Sequence, residues 1–527
     1  MRTRGTVALI WAAMVFGSAL VADTPKPART QAGLVQGVTK DDITVYKGIP
    51  FAAPPVGDLR WRAPEPPVAW TGVRTADKFA PACMQVPYVN ADLGMEAVTT
   101  NEDCLYLNVW TPAKSAKERL PVMVWIYGGA FNAGGTSVSL YDGTYLAKRG
   151  VVLVSVAYRL GAFGFLAHPQ LSAEQGGHSG NYGLMDQIAG LQWVKRNIAA
   201  FGGDPSRVTI FGESAGGISV SMLSASPLAK GLFRGAISES GGNFGPERQA
   251  GNEGGENMDS LVTAEKNGTA FLAKLGAASI ADGRKRSAEE VLKASPAGLS
   301  RAWPIFDGYV LLGDQYKLYE AKRYNDTAVL IGTNSDEGAF FVPFAKADAY
   351  QKTIRSGYGE YADKILAAYP GASDAQALRS SRDMFRDASF AWPTWTWARL
   401  QAKTGKGKAF VYYFSHRPPY PSAPQFKDWG AAHTGEIAYV FGNFSATMPP
   451  SEADRAVSDV VSSYWVNFAK SGDPNGSGLP HWPAFTNTSA QVMNLTDSSK
   501  AVDVPNLQKL EVLDGYFAWR REAEKGR

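Results

Sequence analysis

Cysteine is almost missing from this chain. Only Cys83 and Cys104 occur among its 527 residues, which excludes a disulfide-rich scaffold and leaves too few thiolates, too far apart, for a zinc site. An excess of one charge is missing as well: 53 Lys and Arg stand against 49 Asp and Glu, a net of +4. Such a balance does not suggest a nucleic-acid or polyanion partner. No low-complexity linker, charge run or internal repeat divides the chain. Beyond the N-terminus no apolar run is long enough to cross a bilayer, and no lipobox cysteine offers a lipid anchor. A Gly-Lys-Ser/Thr phosphate cradle is absent too, which argues against a nucleotide-phosphate site; no cofactor and no metal are expected.

What is present starts with a leader. Arg2 and Arg4 precede a short apolar run, Val7 to Val15, and small residues follow at Gly17-Ser18-Ala19 and Val21-Ala22. Residues 1–22 read as a secretory signal peptide, and the mature protein is expected to be secreted or periplasmic. An even cysteine count in an exported chain suggests one disulfide between Cys83 and Cys104. Closing that loop would stabilise the fold by about 3 kcal/mol in the chain-entropy view.

Residues 23–527 read as one large α/β domain. A short antiparallel start at Gly33 to Ile49, with turn signals at Lys40-Asp41-Asp42, leads into a proline-rich wrap from Gly48 to Gly57 that forbids regular helix. Then Pro121 to Tyr127 and Val151 to Val156 are continuous apolar runs, the mark of strands buried on both faces. Gly183 to Asn197 has helical spacing. Further strands are expected at Val208 to Phe211, Ala236 to Ser238, Ala328 to Gly332 and Ala409 to Phe414. Alternating strands and helices imply a mostly parallel, doubly wound sheet flanked by helices. Two helical insertions, near 245–299 and 340–401, interrupt the alternation and are expected to cover the carboxyl ends of the strands. The second carries clustered aromatics, among them Phe385, Phe390, Trp392, Trp395 and Trp397, that are candidates to line a pocket.

The chemistry centres on Gly212-Glu213-Ser214-Ala215-Gly216. It follows a strand-like run and precedes a small-residue stretch able to start a helix. That is the context of a nucleophile elbow, in which flanking glycines let helix and strand approach and the serine hydroxyl stands exposed. A serine needs a base, and the base an acid. In elbow-type hydrolases the order is serine, acid, histidine, which removes His168 and His178. His433, in an uncrowded glycine-flanked loop of mobile character, is the better placed of the remainder, with His416 the alternative and His481 in a proline-rich turn. For the acid, Asp336 and Glu337 both follow the strand at 328–332; Glu337, before Gly338, has room to turn inward. Asp307-Gly308 reads as a turn. Tyr127-Gly128-Gly129-Ala130-Phe131 can aim backbone N–H groups at an oxyanion, partnered by Ala215.

Taken together, the elbow, Gly48 to Pro55, Glu102 to Val109, Tyr127 to Phe131, Gly180 to Gln187 and Phe201 to Pro205 resemble the type-B carboxylesterase/cholinesterase family of the α/β-hydrolase fold, over nearly the whole mature chain. The resemblance implies Ser214 as nucleophile, Glu337 rather than Asp336 as acid, and His433 as base. It also implies oxyanion donors at Gly129, Ala130 and Ala215, supporting roles for Glu213 and Ser240, and the Cys83–Cys104 disulfide. Ala130 replaces the third oxyanion glycine, a change that keeps the N–H; loops of this type are associated in the family with room for bulky alcohol groups. The loop between the cysteines lacks tryptophan, which argues against choline esters. The expected function is an exported serine carboxylic-ester hydrolase acting on small-molecule esters. Two other readings are a specialised polycarboxylate esterase of the fumonisin type, with Arg284, Lys285 and Arg286 meeting an acyl carboxylate, and a catalytically silent binding protein on the same fold.

Overall fold

The run at 121–126 is apolar at every position because its strand has neighbours on both edges and cover on both faces. In the computed structural model, which describes residues 26–87, 93, 96–248, 258–295 and 302–525, this strand lies inside a sheet of eleven strands. In chain order they are β1 (Val38–Lys40), β2 (Ile43–Pro50), β3 (Tyr106–Thr111), β4 (Leu120–Ile126), β5 (Val152–Val156), β6 (Gly203–Glu213), β7 (Gly235–Glu239), β8 (Ala328–Asn334), β9 (Ala409–Phe414), β10 (Gln491–Leu495) and β11 (Lys500–Asp503). Their order across the sheet is β11-β10-β9-β8-β7-β6-β4-β5-β3-β2-β1. From β5 through β10 every neighbouring pair is parallel; the two edges are antiparallel. The β1–β2 turn uses Asp41 and Asp42 at φ 49° and 65°, the left-handed pair that a two-residue hairpin requires.

The expected helix at 183–197 forms as α1 (Tyr182–Asn197), buried along most of its length. The elbow serine leads into α2 (Ala215–Ala225), whose residues are all buried. Within the first insertion α3 (Leu261–Lys274) forms behind Ser260, whose side chain accepts from Thr263 N–H. The second insertion builds α4 (Asp374–Arg386), a π turn over Asp387–Ala391, and α5 (Trp392–Thr404). Two helices that the sequence reading passed over, α6 (Glu452–Ser471) and α7 (Leu507–Lys525), also form. A Ser451–Asp454 capping box starts α6.

The proline-rich wrap starts as the end of β2, at Gly48 to Pro50, and runs into a short 3-10 turn, Gly57–Leu59. The disulfide Cys83–Cys104 is present. No helix among the described residues is long and apolar enough to cross a membrane. The leader, residues 249–257 and residues 296–299 of the first insertion lie outside the described residues.

Candidate active site

Strand β6 carries the chain to Glu213 and α2 carries it away from Ala215, so Ser214 must turn within one residue. It does so at φ 55° and ψ −123°, a conformation that costs an L-residue on the order of 1–3 kcal/mol. The glycines permit the turn: a Cβ on Gly216 would sit 1.9 Å from the carbonyl oxygen of Ile126. Ser214 N–H donates to Glu239 O at 2.9 Å, which fixes the elbow against β7.

Two other segments meet Ser214 at the carboxyl edge of the sheet. The loop after β8 delivers Glu337, and the loop after β9 delivers His433. Nε2 of His433 lies 2.8 Å from Ser214 Oγ, and Nδ1 lies 2.6 Å from Glu337 Oε2. Serine, histidine and glutamate, 219 and 96 residues apart along the chain, thus form one continuous hydrogen-bonded line. His416 is elsewhere, bonded to Asp454 at 2.8 Å. Asp336 does not reach His433; its Oδ2 accepts from Gly430 N–H at 2.8 Å, and its own N–H donates to Ala431 O. It ties the acid loop to the histidine loop. Asp307 is the turn residue its Asp-Gly sequence suggested, its Oδ1 accepting from the N–H groups of Tyr309, Val310 and Leu311.

One expectation is corrected. The glycine flanks of His433 suggested an uncrowded, mobile loop. Instead the residue is 4% exposed. Asn334 Nδ2 donates to Ala432 O, Ala432 N–H donates to Tyr420 Oη, and rings of Phe340, Phe341 and Phe390 surround the imidazole. The glycines serve close approach: a Cβ on Gly430 would meet that of Asp336 at 3.1 Å.

Four carboxyl groups are buried around this line: Glu213, Glu239, Glu337 and Glu436. They are not equivalent. Glu337 Oε1 accepts from Asn334 N–H at 2.8 Å and from Ser240 Oγ at 2.5 Å, and Oε2 faces the imidazole. Three such contacts hold both of its oxygens in place. Glu213 is pushed well above the usual carboxyl range by burial and then by Glu436, Glu337 and Glu239. Glu239, accepting from Trp465 Nε1 at 2.7 Å, is raised by burial and by Glu436. Glu436 is pushed up to about 7 by burial and by Glu337, although Asn334 Nδ2 donates to it. Burial and mutual repulsion thus push Glu213, Glu239 and Glu436 toward their neutral forms. Glu213 also lies 3.3 Å from His433 Nε2.

The loop after β4 supplies free N–H groups. Gly129 (φ 107°), Ala130 (φ 53°) and Phe131 (φ 59°) run left-handed, so successive amides point to one side, as anion-binding concavities require. The N–H groups of Gly129, Ala130 and Ala215 donate to no described residue. Gln85, two residues past Cys83, grips the far end of this loop, its Oε1 accepting from Gly134 N–H at 2.8 Å and its Nε2 donating to Gly134 O at 2.7 Å.

A cavity of about 120 Å³ opens over Ser214, walled by Val138, Leu140, Tyr141, Phe340, Phe341 and Ile437. Its described lining includes the carboxyls of Glu96 and Glu213 but no Lys or Arg. The basic trio of the first insertion is engaged elsewhere: Arg284 pairs with Glu174, Lys285 with Asp282 and Arg286 with Glu290. The aromatics of the second insertion were expected as pocket candidates. None of the five lines this cavity; Phe390 backs onto His433 instead. The sequence reading also missed Glu436 and Asn334, although a glutamate three residues after the chosen histidine was a visible signal.

With the geometry described, comparison with known proteins is informative. The sequence profile of the Carboxylesterase family matches residues 24–512. A fumonisin B1 esterase of Sphingopyxis macrogoltabida is 38% identical over 510 residues, spanning 92% of this chain and 90% of its own. A para-nitrobenzyl esterase of Bacillus subtilis (strain 168) is 36% identical over 511 residues, spanning 92% and 97%. A solved PNB esterase structure superposes with a TM-score of 0.80 at 34% identity, over 92% of this chain and 99% of that one.

Proposed function

The chain belongs to the carboxylesterase family, with the α/β-hydrolase fold, and is a carboxylic-ester hydrolase; from that premise we propose that it works through an acyl-enzyme on Ser214. His433 takes the serine proton as Oγ attacks the ester carbonyl. Glu337 holds the imidazole in the tautomer that leaves Nε2 free to accept and stabilises the imidazolium that results. The N–H groups of Gly129, Ala130 and Ala215 receive the oxyanion, where each preorganised donor is typically worth about 3–4 kcal/mol. His433 then returns the proton to the departing alcohol, and water releases the acid by the same route. The observation that carries this reading is the unbroken line Ser214 Oγ–His433–Glu337 at 2.8 and 2.6 Å.

The cavity supports a substrate class. Its apolar walls, and a described lining without a basic side chain, suit esters with uncharged acyl and alcohol groups. The left-handed Gly129–Ala130 loop is read as leaving room for bulky alcohols. A polycarboxylate ester is the second reading, favoured by the similarity to a fumonisin B1 esterase. A cationic counterpart for its carboxylates is missing from the described lining. Export through the leader at residues 1–22 is also proposed, and the disulfide, at home in oxidising compartments, supports it.

A panel of purified-enzyme assays tests the reading. Neutral 4-nitrophenyl and tertiary-alkyl esters are expected to be cleaved by the wild type and not by Ser214→Ala. A tricarballylate ester is expected to be at least tenfold poorer in kcat/KM. Preference for the tricarballylate ester would establish the second reading, and full activity of Ser214→Ala would remove Ser214 from the mechanism.

A further inference from the structure

The helix that begins at Asp374 does not run straight to Thr404. After Arg386 it opens into a π turn, Asp387–Ala391, and resumes at Trp392. A π turn accommodates one extra residue and rotates everything after it by about a residue's angle, roughly 100°. Such turns are uncommon and concentrate at functional sites. Here the turn is firmly held. Asp387 is fully buried, with Arg386 Nε at 2.7 Å and Tyr369 Oη at 3.0 Å.

Helix α4 and this turn together back onto the loop that carries Glu337 and onto the His433 ring. Arg386 Nη1 donates to Ser335 O at 3.0 Å, in the loop that carries Glu337. Gly338, the residue after Glu337, lies so close to α4 that a Cβ there would sit 2.2 Å from Arg382 O. Phe390, from within the π turn, lays its ring nearly flat on the His433 imidazole, with centroids 4.8 Å apart and planes 18° from parallel. Phe341 closes on the imidazole at 4.9 Å. Phe390 is 5% exposed and does not line the cavity, so it does not meet substrate there.

We infer that Phe390, presented by the π turn Asp387–Ala391, is a positioning residue for His433. The inference rests on the reading of His433 as the base. An imidazole held only by its two nitrogens can pivot about the line joining its partners when the proton leaves Ser214. A ring stacked on one face blocks that pivot, and its electron-rich face favours the imidazolium that forms as the serine attacks. Arg386 fixes the acid on the same frame, so base and acid keep their register through one rigid segment.

The test compares Phe390→Leu and Phe390→Met, which keep bulk but remove the ring, with Phe385→Leu. Phe385 stacks on Phe341 at 4.4 Å and has no contact with the imidazole, so it reports simple loosening of the aromatic cluster. The readouts are kcat, KM and the pH profile of kcat/KM in the full-length, folded enzyme. Both Phe390 variants are expected to lose about tenfold in kcat with KM within twofold. The acid limb of their profile is expected to shift to lower pH by about half to one and a half units, the range from an exposed to a desolvated cation–π contact. The low-field proton resonance of the His433–Glu337 hydrogen bond should broaden. Phe385→Leu should leave limb and resonance in place. If Phe390→Leu does not fold, Phe390→Met decides. Wild-type kcat with an unmoved limb, or an equal shift in Phe385→Leu, would overturn the inference. His433→Ala, assayed in parallel, separates the two claims. Its inactivity beside a flat Phe390 result removes only this inference, whereas its retained activity removes the base assignment beneath it.

Discussion

Ser240 Oγ lies 2.5 Å from Glu337 Oε1, on the side of the carboxylate turned away from His433. The same hydroxyl is 3.4 Å from Glu436 Oε1, so it stands between Glu337 and a carboxyl pushed toward neutrality. Ser240 itself is held at φ 47°, at the end of β7. Removing its hydroxyl takes one of two neutralising donors from Oε1 of Glu337. A hydrogen bond to a charged group contributes about 1.5–3 kcal/mol. Ser240→Ala is therefore expected to lower kcat for a neutral ester by about 10- to 100-fold, with KM little changed. Steady-state kinetics on the variant check this.

The raised Glu436 makes stability depend on pH. Burial and Glu337 lift it from 4.5 to about 7, so the folded protein holds this proton where the unfolded chain has released it. A carboxyl with a raised folded value favours the native state fully below about pH 4.5. That contribution is lost as pH rises toward 7 and is gone above it. The total is about 3 kcal/mol. Glu436→Gln keeps an acceptor for Asn334 and cannot ionise. Its melting temperature is expected to gain on that of the wild type steadily between pH 5 and pH 7.5, and a difference that stays constant across the window would contradict the assignment.

The disulfide reaches the proposed oxyanion loop through Gln85. Cys83 and Cys104 are 21 residues apart, a closure worth about 3 kcal/mol. Gln85 holds Gly134 with two hydrogen bonds, and Gly134 ends the turn that presents Gly129 and Ala130. Reduction, or paired Cys83→Ala and Cys104→Ala substitution, is expected to lower the melting temperature by about 3 °C for a chain of this size. It should also lower kcat on the still-folded enzyme. Calorimetry with and without reductant, alongside assays below the transition, measures both effects.

Gly129 cannot take a side chain. Its φ is 107°, and a Cβ would lie 2.2 Å from Ala133 O. Gly129→Ala must distort the loop whose amides are proposed to receive the oxyanion. A loss of about 10²- to 10³-fold in kcat is expected, the size of one lost donor, with little change in unfolding temperature. Ala130 already carries a Cβ at φ 53°, so Ala130→Gly should be tolerated.

Much of this site was legible in the chain itself, and the reason is local. Ser214 is marked by glycines that a strand–turn–helix corner demands, and Gly129 by a turn no other residue fits. Buried parallel strands announce themselves as unbroken apolar runs, which is why β4 and β5 were readable. His433 and Glu337 were readable only through chain order and the resemblance, since nothing within either loop says where its side chain points. Asp336 and Glu337 both stayed open, with only Gly338 favouring Glu337, until the resemblance separated them; in the structure one staples two loops and the other meets the imidazole. Phe390 was unreadable for its own reason. Its direction depends on a π turn, and no periodicity signals one added residue in a helix. The fate of Glu436 depends on burial beside Glu337, a tertiary fact.

Ser214 Oγ, activated by His433, is proposed as the atom that attacks the ester. A fluorophosphonate reacts with such a serine and with no resting hydroxyl. Intact-mass and peptide mass analysis of the wild type is expected to show one adduct, on the peptide carrying Ser214, with Ser214→Ala unlabelled and His433→Ala labelled at least a thousandfold more slowly. An unlabelled wild type, or an adduct on another residue that persists in Ser214→Ala, would contradict the account.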